Sequence, residues 1–444
     1  MTVILAMLAA GTLCAQTPSK VWTLEECIDY ALEHNIEIKR QELGVDNSEI
    51  GLSENRWDYA PSLSAGSSYS ISSGRVLDQT TYEFIENNVL GSSSASVSGS
   101  VQIFSGMRRH YALKKAKASM KASLADLASV RQDIEMNVTA AYLQILCDQE
   151  NLASAREMAS MLESQMEKIQ TMVELGRVTE ADLLQIRSQH YAALNDVAAA
   201  EGQCRLSKME LCQLLEIQNW EDFAIEPMNV NDYDGMRLFP ITDSLAVESR
   251  PEYRSAEAGM EVARRNLQIA RSSYYPTLSL SAGYGTNYSG ARQKAVQNPD
   301  GTYRYEAYPF FRQYLDNGSS YLSLNLNIPI FSGMSTRNSV RRAKNASTDA
   351  QYALQTVKKQ LSMEYEQALI EYQTSCRQYE TAKEQLAYAE EAARMMTEKY
   401  NLGKIDFASW NTAMTELAKA KCAMNNAVFT SNLRRKVLNR LLDM

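Results

Sequence analysis

Three histidines, seven cysteines and several adjacent carboxylates are the side chains of this chain that could do chemistry. His34, His110 and His190 lie on helical stretches without a cysteine or second histidine at ligand spacing, so they indicate no metal site. Neighbouring carboxylates such as Glu390 and Glu391 could act as acid and base, but on an amphipathic helix a solvated face explains them more simply. The sequence has no nucleotide-binding glycine motif, nucleophile elbow or zinc motif. We therefore predict a protein that is not an enzyme and needs no metal or cofactor.

Two of the cysteines are spaced so that they could meet. Cys147 and Cys204 lie at similar distances before and after Gly176, which would place them at one height on two antiparallel helices. In an oxidising compartment they could form a disulfide, and the alternative is two small buried hydrophobic side chains. Spacing leaves both open, because the Cα separation decides. Four others show no metal-ligand spacing: Cys27, Cys212, Cys376 and Cys422.

Composition narrows the class of protein. The net charge is -8, and no basic patch is interleaved with aromatic residues, which argues against a nucleic-acid partner. Residues 3–10 form a short apolar core and cleavage after Ala15 would fit, so residues 1–15 are predicted to be a signal peptide. A lipidated Cys14 is the alternative. No later stretch reaches the ~18 apolar residues of a membrane-spanning helix.

Two stretches of the chain repeat each other in the same order. The Phe-Ser-Gly-Met sequence at Phe104–Met107 recurs at Phe331–Met334, and apolar residues then step by three and four in the same register in both copies. Such spacing without proline or glycine predicts a long helix with a coiled-coil-like seam. Each run continues to a glycine, Gly176 or Gly403, over about 70 residues, or ~105 Å at 1.5 Å per residue.

Each of these glycines is predicted to end its helix in a reversal. Glycine readily takes the left-handed conformation that terminates a helix, and Thr179 and Asp406 suit the N-caps of returning helices. One antiparallel helical hairpin per copy follows. The predicted boundaries are a hairpin at about 105–216 and a connector at 217–241 within a first repeat (16–241), and a hairpin at about 334–442 within a second repeat (242–444).

Upstream of each long helix, alternating residues predict two β-strands of about ten residues each. The polar positions are Ser, Gly, Asn, Gln and Thr without charge, and aromatic residues gather near the strand ends. An apolar outer band, aromatic girdles and a wet lumen are typical of outer-membrane strands. A soluble sheet with one wet face is the alternative, although that face usually carries charge. The strands are predicted at about 62–73, 91–104, 277–288 and 320–331.

Four strands are too few for a closed barrel, since the smallest have about eight. If the strands enter a membrane, the chain must therefore contribute part of a barrel shared among protomers.

Taken in order, these features resemble the TolC family of outer-membrane efflux proteins. The resemblance covers nearly all of the mature chain: the tandem halves, the proline before the first strand, the Phe-Ser-Gly at each strand-to-helix switch, and the tip sequence from Leu175 to Leu184. It implies an α+β membrane protein of a Gram-negative bacterium. In it, three copies form a homotrimer whose twelve strands make one β-barrel in outer-membrane lipid and whose hairpins make a periplasmic α-barrel.

By the same resemblance, the hairpin tips close the tube and receive a periplasmic adaptor, a membrane fusion protein, which links it to an inner-membrane transporter of the RND or ABC type. The residues that match the adaptor-binding and gating tips are Leu175, Gly176, Thr179, Asp182 and Leu183 in the first hairpin, and Tyr400, Leu402, Gly403 and Ile405 in the second.

Two further tip features are implied by the resemblance. Tyr400 and Asp182 stand where a tyrosine could hold an aspartate as a latch, although packing of Tyr400 in the apolar seam would explain it equally. Where acidic residues ring the entrance in the best-known pattern, this chain has Ser409 and Thr412. An entrance constriction here is therefore expected to select weakly for charge.

The function predicted from the sequence is passive conduction. The chain would be the exit duct of a tripartite efflux or type I secretion system, gated at its periplasmic tips by the adaptor and pump. The alternative is a soluble periplasmic coiled-coil scaffold, an interaction protein without a pore.

Overall fold

The computed structural model describes residues 21–77, 84–176, 178–227 and 245–442, and the predicted signal peptide lies outside them. In the first half of the chain the elements are β1 (Val21–Trp22), α1 (Leu24–His34), α2 (Ile36–Trp57), β2 (Ser62–Leu77), β3 (Phe84–Ser105), α3 (Arg108–Glu174), α4 (Glu180–Leu214) and β4 (Ala224–Ile225).

The second half follows a similar order with an added segment between its strands. Its elements are α5 (Leu245–Ser249), α6 (Pro251–Ser272), β5 (Thr277–Ser289), β6 (Gln293–Gln297), β7 (Tyr303–Ala307), α7 (Phe310–Asp316), β8 (Ser319–Asn327), α8 (Ser335–Asn401) and α9 (Phe407–Leu441).

Four long helices hold a little under half of the chain. The outgoing helices α3 and α8 each have 67 residues, and the returning helices α4 and α9 each have 35. Their polar and apolar residues follow the helical period without an internal proline, so the backbone hydrogen bonds run uninterrupted. None of the described helices combines the length and apolarity that a bilayer-spanning helix needs.

The described residues divide into two compact units, a sheet-containing unit within 46–122 and 256–354 and a helical unit within 1–45, 123–255 and 355–444. In the sheet-containing unit, β2, β3, β5 and β8 form one sheet in that order, with antiparallel neighbours.

Three strands of this sheet, β2, β3 and β8, differ in length from the sequence prediction. Strand β3 begins at Phe84 rather than near 91, because β2 also extends to Leu77 and pairs with it. Strand β8 ends at Asn327 rather than near 331, since Pro329 has no N–H to donate to a neighbouring strand.

The two faces of the sheet differ in chemistry, because alternate residues point to opposite sides. One face carries the aligned residues Ala65, Val97 and Tyr284. On the other face, serines of β2 and β3 are directly paired and share hydrogen bonds between their hydroxyls at 2.7–3.2 Å: Ser62 with Ser100, Ser64 with Ser98, Ser68 with Ser94, and Ser70 with Ser92.

A tight turn joins β3 to α3. Gly106 and Met107 both have positive φ, at 60° and 67°. A Cβ on Gly106 would lie 2.7 Å from the carbonyl oxygen of Ser272 and 2.7 Å from Cβ of Tyr275, so the turn accepts no side chain there. Gly333, at the corresponding turn before α8, has a φ of 57° but open space around it.

The segment between β5 and β8 was not predicted from the sequence. Strands β6 and β7 form a short antiparallel hairpin, and the following helix α7 lies against β5. The elements of this segment are too short and too polar for their apolar residues to show a helix or strand period.

The helical unit has its own apolar core. One cluster joins α1, α3, α4, the β1–β4 pair and Phe429 of α9. Within it the Tyr142 hydroxyl lies 3.0 Å from the Glu226 carbonyl and 3.3 Å from the Trp22 carbonyl, which anchors β1 and the end of β4 to α3. Burial raises the pKa of Tyr142 to about 12, and nearby Cys27 and Glu226 add to the shift.

Candidate functional site

The tip-proximal parts of all four long helices contribute to one apolar cluster, which we call the tip cluster. Its buried members are Ala159, Leu162 and Ile169 of α3, Leu183, Ile186 and Ala193 of α4, Ala393 of α8, and Phe407, Trp410 and Met414 of α9. The two hairpins are therefore packed together near their turns, because each supplies part of a shared core.

Trp410 is the largest side chain in the tip cluster and is only 1% exposed. Its ring stacks on Tyr400 with centroids 5.5 Å apart and lies 5.6 Å from Phe407. Its indole Nε1 donates to the Thr397 hydroxyl at 3.1 Å, so the polar atom is satisfied. Trp410 was not predicted to be a tip residue, although the spacing of Phe407, Trp410 and Met414 along α9 indicates a buried helix face.

The first tip ends α3 and starts α4 through the residues that the sequence indicated. Gly176 has a φ of 71°, and its N–H donates to the Val173 carbonyl at 2.9 Å. Thr179 is the N-cap of α4 and forms a reciprocal capping box with Asp182. The Asp182 carboxylate accepts from the Thr179 hydroxyl at 2.6 Å and from its N–H at 3.2 Å. Leu175 is 65% exposed.

The second tip has the same backbone route but a simpler cap. Gly403 has a φ of 68° and donates to the Tyr400 carbonyl at 2.9 Å. Asp406 is the N-cap of α9 and accepts from the Ser409 N–H at 3.1 Å. Hydrogen bonds from Ser409 hold the pKa of Asp406 below its usual value. Leu402 is 68% exposed.

The remaining tip residues divide between core and surface. Leu183 is buried in the tip cluster and Ile405 packs at its margin. Ser409 and Thr412 are exposed on α9, and the Thr412 hydroxyl donates to the Ala408 carbonyl at 2.9 Å. Neither position brings charge to this surface. The roles predicted for these residues in constriction or partner binding stay predictions.

The proposed latch is not closed in this structure. Within the described residues no hydrogen bond joins Tyr400 to Asp182, whose carboxylate is bound to Thr179. Tyr400 instead stacks on Trp410. Burial raises the pKa of Tyr400, and the charge of Asp182 raises it further, so the two groups are near enough to interact electrostatically.

The two cysteines that could have met across the first hairpin are free and buried. The interpretation as small hydrophobic side chains therefore holds, and no disulfide joins them. Cys147 contacts the second hairpin instead, with its Sγ donating to the Asn426 Oδ1 at 3.0 Å. The Cys422 thiol donates to the Asn151 Oδ1, and the Asn151 Nδ2 donates to the Cys147 Sγ. Burial and the neighbouring Asp148 charge raise the pKa of Cys147 to about 11, which keeps it a weak nucleophile.

Among the described residues, no group of three or more His, Cys, Asp and Glu side chains could hold a metal ion. What the helical unit offers is instead a packed pair of hairpin tips with exposed leucines and capped turns. This arrangement is suited to contact with other proteins, and the sheet-containing unit adds strands with one apolar and one hydroxyl-rich face.

Each half of the chain thus carries strands of the main sheet followed by a long helical hairpin. The family model of the outer membrane efflux protein matches residues 27–215 and 244–430. The chain therefore belongs to the outer membrane efflux protein family, and the resemblance seen in the sequence is confirmed. Membership places the protein in the outer membrane of a Gram-negative bacterium.

Individual relatives are distant. The chain is 26% identical over 251 residues to the outer membrane protein TolC of Vibrio cholerae, a match that covers 54% of this chain and 53% of that protein. It is 27% identical over 220 residues to the pyoverdine export outer membrane protein OpmQ of Pseudomonas aeruginosa, covering 48% of this chain and 45% of that one. The chain thus spans about half the length of these curated relatives.

The fold matches over nearly the whole chain. A crystal structure of CusC, from a study of its folding and transmembrane channel formation, superposes with a TM-score of 0.79 at 16% identity. The match covers 94% of this chain and 91% of that one. At this identity the likeness establishes the fold of the chain.

Proposed function

We propose that this chain is one protomer of a trimeric channel-tunnel that serves as the passive exit duct of an efflux or type I secretion system. The observation that carries the proposal is the two-faced sheet. Its apolar face leaves Leu63 and Leu322 exposed, and its other face is lined by uncharged hydroxyls. A bilayer covers the first kind of surface and a water-filled lumen suits the second.

The strand count requires more than one protomer to close the barrel, and the family resemblance indicates three. A sheet ordered β2-β3-β5-β8 presents β2 and β8 at its edges, and an unpaired edge inside a bilayer would leave several N–H and C=O groups unsatisfied. Pairing the β8 of one protomer with the β2 of the next removes both edges. Three copies give twelve strands, more than the roughly eight strands of the smallest barrels.

The tips are the proposed gate. The tip cluster packs the two hairpins together, and opening requires the helices to separate into a second packed arrangement. A periplasmic adaptor of the membrane fusion type, bound at the exposed Leu175 and Leu402, would stabilise that arrangement. In this scheme an inner-membrane transporter of the RND or ABC type supplies the energy and chooses the substrate.

The duct itself is tested in planar lipid bilayers. Purified protein reconstituted at low density should give discrete conductance steps, and chemical cross-linking in detergent should give a trimer as the largest species. Extraction from cells without detergent, together with an absence of conductance steps, would overturn the proposal in favour of a soluble scaffold.

The gate is tested at the tips. Leu175→Asp and Gly176→Val should each lower the yield of adaptor recovered with the channel, and Asp182→Lys should raise conductance in the absence of adaptor by breaking the capping box. Tyr303→Asp is the matched control, because Tyr303 is a similarly exposed apolar residue on β7. Unchanged adaptor recovery and conductance in all three tip variants would contradict the tip assignment.

A further inference from the structure

Helix α7 lies on the apolar face of the sheet. The Tyr314 hydroxyl shares a hydrogen bond with the Ser93 hydroxyl, and the Tyr314 carbonyl accepts from the Thr286 hydroxyl at 2.7 Å. The Phe310 ring lies 4.7 Å from that of Tyr288. By strand alternation, Ser93, Thr286 and Tyr288 project to the side that carries the apolar residues of β3 and β5. The helix is therefore placed on the surface that the proposed function gives to lipid.

Polar side chains fix α7 at the end of β5. Gln313 is fully buried, and its Nε2 donates to the Ser289 carbonyl while its Oε1 accepts from the Ser289 N–H, both at 3.0 Å. One side-chain amide thus satisfies both backbone groups, as a neighbouring strand would. Asn317, just after the helix, donates to the Asn287 carbonyl at 2.8 Å. These bonds connect α7 and the residue that follows it to the end of β5.

The same helix leaves two large apolar side chains uncovered. Phe311 is 80% exposed and Leu315 is 79% exposed. They are four residues apart and so lie together on one side of the helix, next to the side that contacts the sheet. Arg312 and Asp316 occupy the remaining side. A short segment with an apolar edge, a charged edge and aromatic residues is typical of the boundary between headgroups and acyl chains.

We propose that Phe311 and Leu315 insert into the cell-surface leaflet of the outer membrane and anchor the sheet at a fixed depth. The inference rests on the proposed function, which puts the helices in the periplasm and hence this end of the strands at the cell surface. Lipid is favoured over a neighbouring protomer because α7 contacts β3 and β5, the two central strands of the sheet. It is also continuous with the apolar face of the sheet.

Tryptophan emission in brominated lipid tests the anchor. Phe311→Trp is compared in vesicles of phosphatidylcholine with and without bromine on the acyl chains, because bromine quenches only indoles that reach the chains. The emission of the four native tryptophans is corrected for by subtracting the wild-type spectrum. Leu322→Trp on β8 reports whether the sheet is in the membrane, and Tyr388→Trp on the exposed face of α8 reports a site outside it.

The expected result is a loss of indole emission in the Phe311 variant that is smaller than the loss for the Leu322 variant and clearly greater than that for the Tyr388 variant. If the Leu322 variant is quenched and the Phe311 variant behaves like the Tyr388 variant, the anchor is refuted while the channel stands. If the Leu322 variant is not quenched, the proposed function fails and the anchor fails with it.

Discussion

Replacing Trp410 with alanine is expected to loosen the hairpin tips while the rest of the helical unit stays folded. Removing ~200 Å² of buried aromatic surface at about 25 cal/mol per Å² costs ~5 kcal/mol, and losses of about 3–5 kcal/mol are usual for such truncations. The lost hydrogen bond to Thr397 accounts for ~1 kcal/mol. Because the alanine side chain remains buried and retains part of the buried surface, we expect the tips to lose ~4 kcal/mol of local stability.

Amide hydrogen exchange measures this local loss directly. In detergent-solubilised protein, peptides covering 393–414 should exchange about 1000-fold faster in W410A, because each 1.4 kcal/mol corresponds to a factor of ten. Peptides covering 134–147 belong to a separate core cluster of the helical unit and should be unchanged. On the proposed mechanism the same variant should also conduct without adaptor.

Trp410→Phe is the matched control. Phenylalanine keeps most of the ring contacts and loses the indole N–H, while the Thr397 hydroxyl still donates to the Ala393 carbonyl at 2.7 Å. The expected cost is ~1 kcal/mol, or about fivefold faster exchange. The reasoning is refuted if W410A raises exchange in the tip peptides no more than W410F does, or if it raises exchange equally in 134–147.

Three further perturbations test the turns and the core. Gly106→Ala should lower the thermal midpoint more than Gly333→Ala, because both glycines have φ near +60° but only at Gly106 would a Cβ strike backbone; equal shifts would contradict this. Thr179→Ala should cost about 1 kcal/mol by removing the capping box, seen as faster exchange in the first turn of α4, and unaltered exchange would count against it. The pKa of Tyr142 rises from 10.0 to about 12 on folding, so the stability contributed by its neutral hydroxyl is present below pH 10 and is lost as pH rises toward 12. Tyr142→Phe should therefore lose less stability than wild type over that interval in denaturant titrations, and parallel curves would disprove the assignment.

The long helices and the four strands of the main sheet could be predicted because the periodic spacing of their apolar residues is repeated many times along the chain. Apolar spacing over about 70 residues averages out single exceptions, and the turn glycines mark where each helix ends. The segment holding β6, β7 and α7 gave no such signal. The position of α7 depends on Gln313, which takes the place of a strand partner of Ser289. These two residues are close only in the folded sheet, so the sequence does not show the contact.

At the tips, too, some features could be predicted from the sequence and others could not. The turn glycines and the N-caps Thr179 and Asp406 were predictable, since capping depends on neighbours within a few residues. The contact of Cys147 with Asn426 was not predictable, because spacing around Gly176 relates Cys147 only to the returning helix of the same hairpin. The importance of Trp410 also emerges only when α8 and α9 are packed together with the first hairpin.

The tip cluster sets the scale of free energy that the proposed gate requires. Fully exposing Phe407 and Leu183 costs about 1.5–3 kcal/mol each and exposing Trp410 costs ~5 kcal/mol, or roughly 8–11 kcal/mol together. An unaided tip would then be open in only about one molecule in 10⁶ to 10⁸. A partner can open it only by binding the open tip more tightly than the closed tip by a comparable free energy.

The two requirements of the gate, closure and recognition, fall on different residues. Leu175 and Leu402 are exposed outside the tip cluster, so they are available to a partner without weakening the closed packing. A polar substitution at either leucine should therefore impair partner binding and leave the tube closed, whereas truncation of Trp410 should open the tube and leave the leucines in place. If the same residues served both partner binding and closure, no variant could change one without the other. Variants that always changed partner binding and closure together would therefore exclude the separation proposed here.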